Sequence, residues 1–115
     1  MKLSNVLAVS VPERKITGYL LSSIHRTGRG KAQFFLAHGY RVDQWEILAK
    51  ALHMHAQAHD VIETEKTSFG MRYVIEGNLE APDGAILFVR TVWFIENNAT
   101  LPRFVTAYPG KRRRL

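Results

Sequence analysis

The pattern of apolar and polar residues predicts helices in the first half of the chain and strands in the second. Ile16, Tyr19 and Leu20 recur at the i, i+3, i+4 spacing of an amphipathic helix. Pro12 is tolerated in a first helical turn, so the pattern predicts a helix over residues 12–21. Before it, residues 1–11 are predicted to form an arm or a short strand.

Two further helices are predicted before the pattern changes. Residues 31–38 form an apolar segment that Gly39 would end as the left-handed residue after the helix. Asp43 is a suitable N-cap for the next helix, and Glu46 stands three residues later, as in a capping box. That third helix is predicted to end near residue 59.

Alternating and continuous apolar segments in the second half predict strands. The predicted strand segments are residues 63–79, 85–96 and 102–108. Gly70 and Gly77 are predicted bulges or bends, and residues 81–84 (APDG) form a predicted turn. Helices followed by a meander of strands favour the α+β class, with N-terminal helices packed on an antiparallel sheet of about four strands.

Length and composition predict one domain. The 115 residues can bury a single core. We expect residues 1–11 to be an N-terminal arm, residues 12–109 the core and residues 110–115 a basic tail. The chain has no cysteine, which excludes disulfides and thiolate metal sites. No apolar segment approaches the roughly 18 residues of a membrane span, and residues 1–10 do not resemble a signal peptide.

The charge of the chain favours an anionic partner. The formal net charge is +6 and the isoelectric point about 10.0. Removing the four cationic residues at positions 111–114, which could simply be a solvated end, still leaves +2. A basic small domain attracts a polyanion or an acidic protein.

Residues 25–32 (HRTGRGKA) predict a phosphate site. Gly28 and Gly30 allow close backbone approach, and a helix beginning there would direct its free N–H groups and positive dipole end at the ligand. Arg29 and Lys31 add cationic donors, and His25 can transfer protons near neutral pH. Alternatively, His25 makes only a structural hydrogen bond. A P-loop is excluded because no Ser or Thr follows Lys31.

A second polar group lies in the last two predicted strands. Its members are Arg90, Thr91, Trp93, Arg103, Thr106 and Tyr108. Alternation places Thr91 and Trp93 on one face of their strand and Arg90 on the other. Arginine matches phosphate and aromatic rings stack on nucleobases, so the group could bind RNA. Alternatively, the aromatic rings are core residues and the arginines face solvent.

His55 and His59 have the i, i+4 spacing of a pair that can hold a metal ion. No acidic residue accompanies them in the H-E-x-x-H manner. We therefore interpret both as residues that face solvent or a partner.

Four segments, in this order, carry a resemblance to a known family. They are residues 15–21 (KITGYLL), residues 25–40 (H-x-x-G-x-G-K-A-x-x-F, then G-Y), residues 90–93 (RTVW) and residues 102–109 (P-R-x-x-T-A-Y-P). Together they resemble an uncharacterised family of bacterial toxin-like domains, which occurs in toxin–antitoxin pairs and as the C-terminal module of polymorphic toxins. Its layout is similar to the barnase/EndoU/colicin/RelE-type ribonuclease toxins, with helices before a four-stranded antiparallel sheet.

The resemblance implies a metal-independent endoribonuclease without a cofactor, in which the 2′-hydroxyl attacks the phosphate and leaves a 2′,3′-cyclic product. The implied catalytic residues are His25, Lys31, Arg90 and Thr106. For substrate binding, the resemblance implies Thr91 and Tyr108, and the loop and strand patterns above add Gly28, Arg29, Gly30, Trp93 and Arg103. With a single histidine in the loop, the general acid and the general base cannot both be assigned.

The implied partners are RNA (tRNA, rRNA or mRNA) and a cognate acidic antitoxin or immunity protein. Action in the cytoplasm and no membrane association are expected. Two other readings stay open: a module that binds RNA or an acidic partner without cutting it, and a scaffold domain of a larger effector complex.

We predict that His25→Ala and Arg90→Ala each abolish toxicity to bacteria, because both residues would act at the reacting phosphate. Circular dichroism and RNA affinity should change little. The catalytic assignment is wrong if both variants remain as toxic as the parent.

Overall fold

The structure is a computed structural model that describes residues 1–22, 24 and 29–111. A 3₁₀ turn (Val6–Ala8) precedes a short helix α1 (Glu13–Lys15), which continues as a π-helical turn (Ile16–Leu20). Helix α2 (Arg29–Leu36) and a second 3₁₀ turn (Val42–Gln44) lead into helix α3 (Trp45–Ala58). The strands are β1 (Val61–Lys66), β2 (Gly70–Glu80), β3 (Ile86–Glu96) and β4 (Arg103–Pro109).

The four strands form one antiparallel sheet in the order β1-β2-β3-β4, which confirms the predicted α+β class. Each strand is adjacent in sequence to its neighbour in the sheet, so three short connections suffice. The helices pack on one face of this sheet, and the core lies between the two layers. That core includes Phe35, Leu52, Ile75, Trp93 and Phe104, all at most 1% exposed.

The helices contact different strands of the sheet. Helix α3 buries Leu48 and Leu52 and packs against β2. Helix α1 and helix α2 instead pack beside β4, the edge strand. In the π-helical turn, Ile16 and Leu20 are fully buried. The edge strand β4 is thus the part of the sheet that the N-terminal helices reach.

The entrance to α3 differs from the prediction. Asp43 does not cap the helix, because its carboxylate accepts two hydrogen bonds from the Arg41 guanidinium, at 2.9 and 3.0 Å. Instead, the 3₁₀ turn at Val42–Gln44 leads directly into α3, and no side chain caps the helix. The predicted end of α2 is confirmed, since Gly39 follows it at φ 95°.

The first predicted strand segment is in fact a hairpin. The Thr67 hydroxyl accepts hydrogen bonds from the backbone N–H groups of Phe69 and Gly70, and this local turn separates β1 from β2. Gly77 is not a bulge, because it pairs in regular register with Val89. The predicted turn at residues 81–84 is confirmed by Gly84 at φ 86°.

The arm before residue 12 is a 3₁₀ turn and not a strand, apart from one parallel bridge between Ser10 and Arg103. The backbone N–H of Phe104 donates to the Ser10 carbonyl at 3.0 Å. This bridge pins the arm to the edge of β4.

Register assigns each strand residue to one of two faces. Directly paired residues in an antiparallel sheet point to the same side. Arg90 pairs with Tyr108 and with Glu76, and Val92 pairs with Thr106. These residues share the side of the sheet opposite the core, which we name the open face. As predicted, Thr91 and Trp93 are on the other side of β3.

We predict that Gly70→Ala lowers the free energy of unfolding by about 1–3 kcal/mol or more. Its φ of 155° strains any side chain, and a Cβ there would overlap the Ile95 carbonyl oxygen of the neighbouring strand β3. Gly18→Ala is the matched control, because that Cβ would meet no atom within 4 Å. Urea denaturation should show the control at or above parental stability; equal stability of both variants would contradict the steric reading.

Candidate functional site

Five side chains from four elements (α1, the π-helical turn, α2 and β4) meet at the β4 edge. We name them the lysine–tyrosine cluster: Lys15, Tyr19, Lys31, Thr106 and Tyr108. The Lys31 ammonium donates to the Tyr19 hydroxyl at 2.5 Å and to the Thr106 hydroxyl at 3.0 Å. The Tyr19 and Thr106 hydroxyls are 2.9 Å apart. These three polar groups therefore form a closed triangle of hydrogen bonds.

The remaining two members surround this triangle. The Lys31 nitrogen lies 5.1 Å from the ring centre of Tyr19 and 5.6 Å from that of Tyr108. Lys15 approaches the Tyr19 ring at 5.6 Å and donates to the Val105 carbonyl at 3.5 Å. Ammonium groups over aromatic faces gain electrostatic stabilisation. The two lysines are therefore held close together by the tyrosines in spite of their like charge.

Local backbone features bring these residues together. Thr17 bonds back to the Glu13 carbonyl at 3.2 Å, and Leu21 donates to the Ile16 carbonyl at 2.7 Å, which closes a π-type turn. The turn places Tyr19 beside β4 while its neighbours Ile16 and Leu20 enter the core. Lys31 stands in the first turn of α2, and a register shift in the β3–β4 ladder precedes Thr106.

The lysine–tyrosine cluster carries two positive charges, those of Lys15 and Lys31. Among the described residues, no carboxylate lies within salt-bridge distance of Lys15 or Lys31. Burial tends to raise the pKa of Tyr19, but the hydrogen bonds from Lys31 and Thr106 and the charges of both lysines outweigh it and lower that pKa. The site thus favours a negative charge on or near the phenol oxygen.

Arg90 lies on the open face, as its alternation predicted, but carboxylates surround it. Its Nη2 donates to Glu63 at 2.5 Å, and Glu76 is its direct partner in β2. Its Nε is buried and has no hydrogen-bond partner within the described part of the chain. Tyr108 is the link to the cluster, since it pairs with Arg90 in register and its ring faces Lys31.

Thr91 and Trp93 are located in the core. Both are fully buried, and the Trp93 Nε1 donates to the Thr91 hydroxyl at 3.0 Å. The structure does not bring these two residues to the Lys31 triangle. Their neighbour on α3 is His55, whose Nδ1 lies 3.3 Å from the Thr91 oxygen.

Arg103 lies further along the open face, where its Nε donates to Glu96 at 2.9 Å and its guanidinium packs on the Phe94 ring. Gly30 is exposed in the first turn of α2. His25 and Gly28 lie outside the described residues, as does the side chain of Arg29. Their predicted roles stay predictions.

Sequence reasoning missed Tyr19 and Lys15 as members of the site. Tyr19 was read as part of the apolar face of the first helix because it fits the helical period. The signal that could have identified both is Lys15 four residues before Tyr19, one helical turn apart, within the KITGY segment.

His55 is buried, and this corrects the expectation that it faces solvent or a partner. Its Nε2 lies 3.1 Å from both the Gly77 and Val89 carbonyl oxygens. Carbonyls only accept, so Nε2 carries the proton and Nδ1 accepts from the Thr91 hydroxyl. Burial, with a smaller effect of His59, lowers the pKa of His55 to about 4.

His59 bonds separately to the Asn78 carbonyl at 2.8 Å. In the described part of the chain, no three His, Asp or Glu side chains are grouped so that they could hold a metal ion. Across the same residues, no helix has the length and apolar character needed to cross a bilayer.

Comparison with known proteins shows a family match and a similarity of fold. The family described as Domain of unknown function (DUF6883) matches residues 2–111. The fold is similar to that of a chain in the contact-dependent growth inhibition toxin–immunity protein complex from Klebsiella pneumoniae 342. That superposition has a TM-score of 0.68 at 13% identity, and covers 90% of this chain and 99% of the other. No curated protein matches the sequence.

We predict that acid destabilises the fold through His55. Its folded pKa of about 4 lies below the ordinary 6.5, so the unfolded chain binds this proton first as the pH falls. The stabilisation is complete above pH 6.5 and is lost towards pH 4, by about 3 kcal/mol. Urea denaturation at several pH values gives the free energy of unfolding as a function of pH. Between pH 4 and 6.5 this free energy should fall less steeply in His55→Gln than in the parent, because the variant lacks the titrating imidazole. The same pH dependence of the unfolding free energy in the parent and in His55→Gln would contradict the role given to His55.

Proposed function

This chain belongs to the DUF6883 family, and on that premise we propose that it is the toxin of a bacterial toxin–immunity pair and cleaves RNA as a metal-independent endoribonuclease. The closed triangle of Tyr19, Lys31 and Thr106 is the single observation that carries the proposal. It joins a cation, a hydroxyl donor and an ionisable phenol within 3.0 Å of one another. A structural role alone would not require two lysines that have no carboxylate partner among the residues described.

The triangle suits cleavage by the 2′-hydroxyl. Tyr19, as the phenolate, takes the proton of the 2′-hydroxyl while the 2′-oxygen attacks the neighbouring phosphorus. The bond from phosphorus to the 5′-oxygen breaks, and that oxygen receives a proton from His25 in its imidazolium form. The products are a 2′,3′-cyclic phosphate and a 5′-hydroxyl. This assigns Tyr19 as the base and His25 as the acid.

Lys31 and Thr106 stabilise the crowded phosphorane. Both side chains can donate hydrogen bonds to the phosphorane oxygens. The positive charge of Lys31 also stabilises the negative charge that develops on those oxygens. Lys15 adds a second positive charge and lowers the pKa of the phenol. Arg90 lies beside Tyr108 on the open face and adds a guanidinium near the proposed site, where Glu63 pairs with it.

The partner follows from charge and from the structural neighbour. That neighbour was solved as a toxin–immunity protein complex, and this chain has a net charge of +6. We propose a cognate immunity protein with an acidic surface that covers the lysine–tyrosine cluster. Such a protein would block RNA by occupying the same positive surface. The toxin would act in the cytoplasm of the target cell.

We predict that Tyr19→Phe lowers the RNA cleavage rate by about 10²- to 10³-fold, because it removes the proton acceptor and keeps the ring. Its affinity for uncleavable RNA should change less than about twofold. Lys31→Ala should lower both the rate and the affinity. Purified variants would be incubated with bulk tRNA, rRNA and mRNA, and product ends tested for the 2′,3′-cyclic phosphate.

Lys50→Ala is the matched control for charge, since Lys50 is exposed on α3. It should cleave as the parent does. Unchanged cleavage by Tyr19→Phe would exclude Tyr19 as the base. If the parent binds RNA at low salt and never shortens it, the chain is a non-catalytic binding module.

A further inference from the structure

A second feature of the open face lies beyond the lysine–tyrosine cluster. The tip of the β1–β2 hairpin carries Phe69, which is 77% exposed. Beside it lies a groove of about 490 Å³ lined by Thr67, Phe69, Phe94, Glu96 and Arg103. The exposed ring and the groove beside it together offer an apolar surface on which a flat ligand can pack.

We propose that this groove is a nucleobase subsite for single-stranded RNA, with Phe69 as its stacking surface. This proposal rests on the endoribonuclease function. An RNA strand held in a positive groove typically stacks successive bases on aromatic side chains. Phe69 and Phe94 supply two such rings, one at the hairpin tip and one on the open face.

The charges in the groove favour a base over a phosphate. The Arg103 guanidinium is paired with the Glu96 carboxylate at 2.9 Å and lies 5.3 Å from the Phe94 ring centre. This pair is close to neutral, so it attracts a phosphate weakly. A base edge carries both donors and acceptors, and the carboxylate and guanidinium can satisfy each kind.

The position of the groove is continuous with the proposed cleavage site. Phe94 pairs with Arg103 in the sheet, and Val92, two residues earlier in β3, pairs with Thr106. Two residues of a strand span about 7 Å. A phosphate at Lys31 therefore leaves a neighbouring base within reach of the groove along the same face.

The test measures binding to a fully 2′-O-methylated oligoribonucleotide of mixed sequence, which has no 2′-hydroxyl to attack. Phe69→Ala should bind it at least about fivefold more weakly than the parent, and Phe69→Tyr, which keeps the ring, should bind like the parent. Met54→Ala, which removes an exposed apolar side chain from α3, is the matched control and should have no effect. Thermal denaturation confirms that each variant folds.

An oligonucleotide of the same length without bases separates stacking from backbone contacts. The parent and Phe69→Ala should bind it equally well. Equal binding of the base-containing oligonucleotide by the parent and Phe69→Ala overturns the subsite, even if the parent cleaves RNA. If Phe69→Ala weakens only the complex with the immunity protein, the groove belongs to that partner and the subsite is overturned.

The subsite and the proposed function can fail separately. A parent that binds the uncleavable probe through Phe69 and yet cuts no natural RNA supports the subsite and overturns the endoribonuclease proposal. A parent that binds neither oligonucleotide and also leaves natural RNA uncut overturns both.

Discussion

The hydrogen bonds from Lys31 to Tyr19 and Thr106 join the helical layer to the edge of the sheet. The direct Tyr19–Thr106 hydrogen bond, at 2.9 Å, adds a further polar link between the π-helical turn and β4. Apolar contacts alone would fix the distance between these elements poorly. A directional bond at 2.5 Å and another at 3.0 Å fix both distance and orientation. The triangle also positions the other two members of the cluster, because Lys15 packs against the Tyr19 ring and the Tyr108 ring packs against Lys31.

The opposite side of the sheet is held by a different polar network. Trp93 donates to Thr91, Thr91 donates to His55, and His55 donates to the Gly77 and Val89 carbonyls. Each buried donor in this network has an acceptor, which is why a tryptophan, threonine and histidine can share an apolar core. The network fixes α3 over β2 and β3, on the side of the sheet opposite the open face.

Local sequence signals predicted the elements well because they depend on neighbours along the chain. The helical period, the turn at residues 81–84 and the glycine after α2 all appear where expected. The division of residues 63–79 into two strands was missed, because it depends on a threonine side chain that bonds to the backbone of a local turn. Capping by Asp43 failed for a related reason: Arg41 competes for its carboxylate.

The candidate site was predicted in part. The glycine-bounded loop and the last strand pointed to Lys31, Thr106 and Tyr108, and the structure brings these together. Tyr19 was missed because a tyrosine that fits an apolar period cannot be distinguished by sequence from a core residue. The carboxylates around Arg90 were missed because they come from strands whose register is a property of the folded sheet.

The members of the triangle lie far apart in sequence: Tyr19 and Thr106 are separated by 87 residues, and Lys31 and Thr106 by 75. The triangle therefore appears only after the last strand has joined the sheet and the first helices have docked on it. Such distant pairings form late, since the intervening chain must lose its freedom first. In a chain that is still being synthesised, or that is unfolded, Thr106 is not yet beside Tyr19 and Lys31, so the triangle is absent. The proposed cleavage would therefore begin only with complete folding.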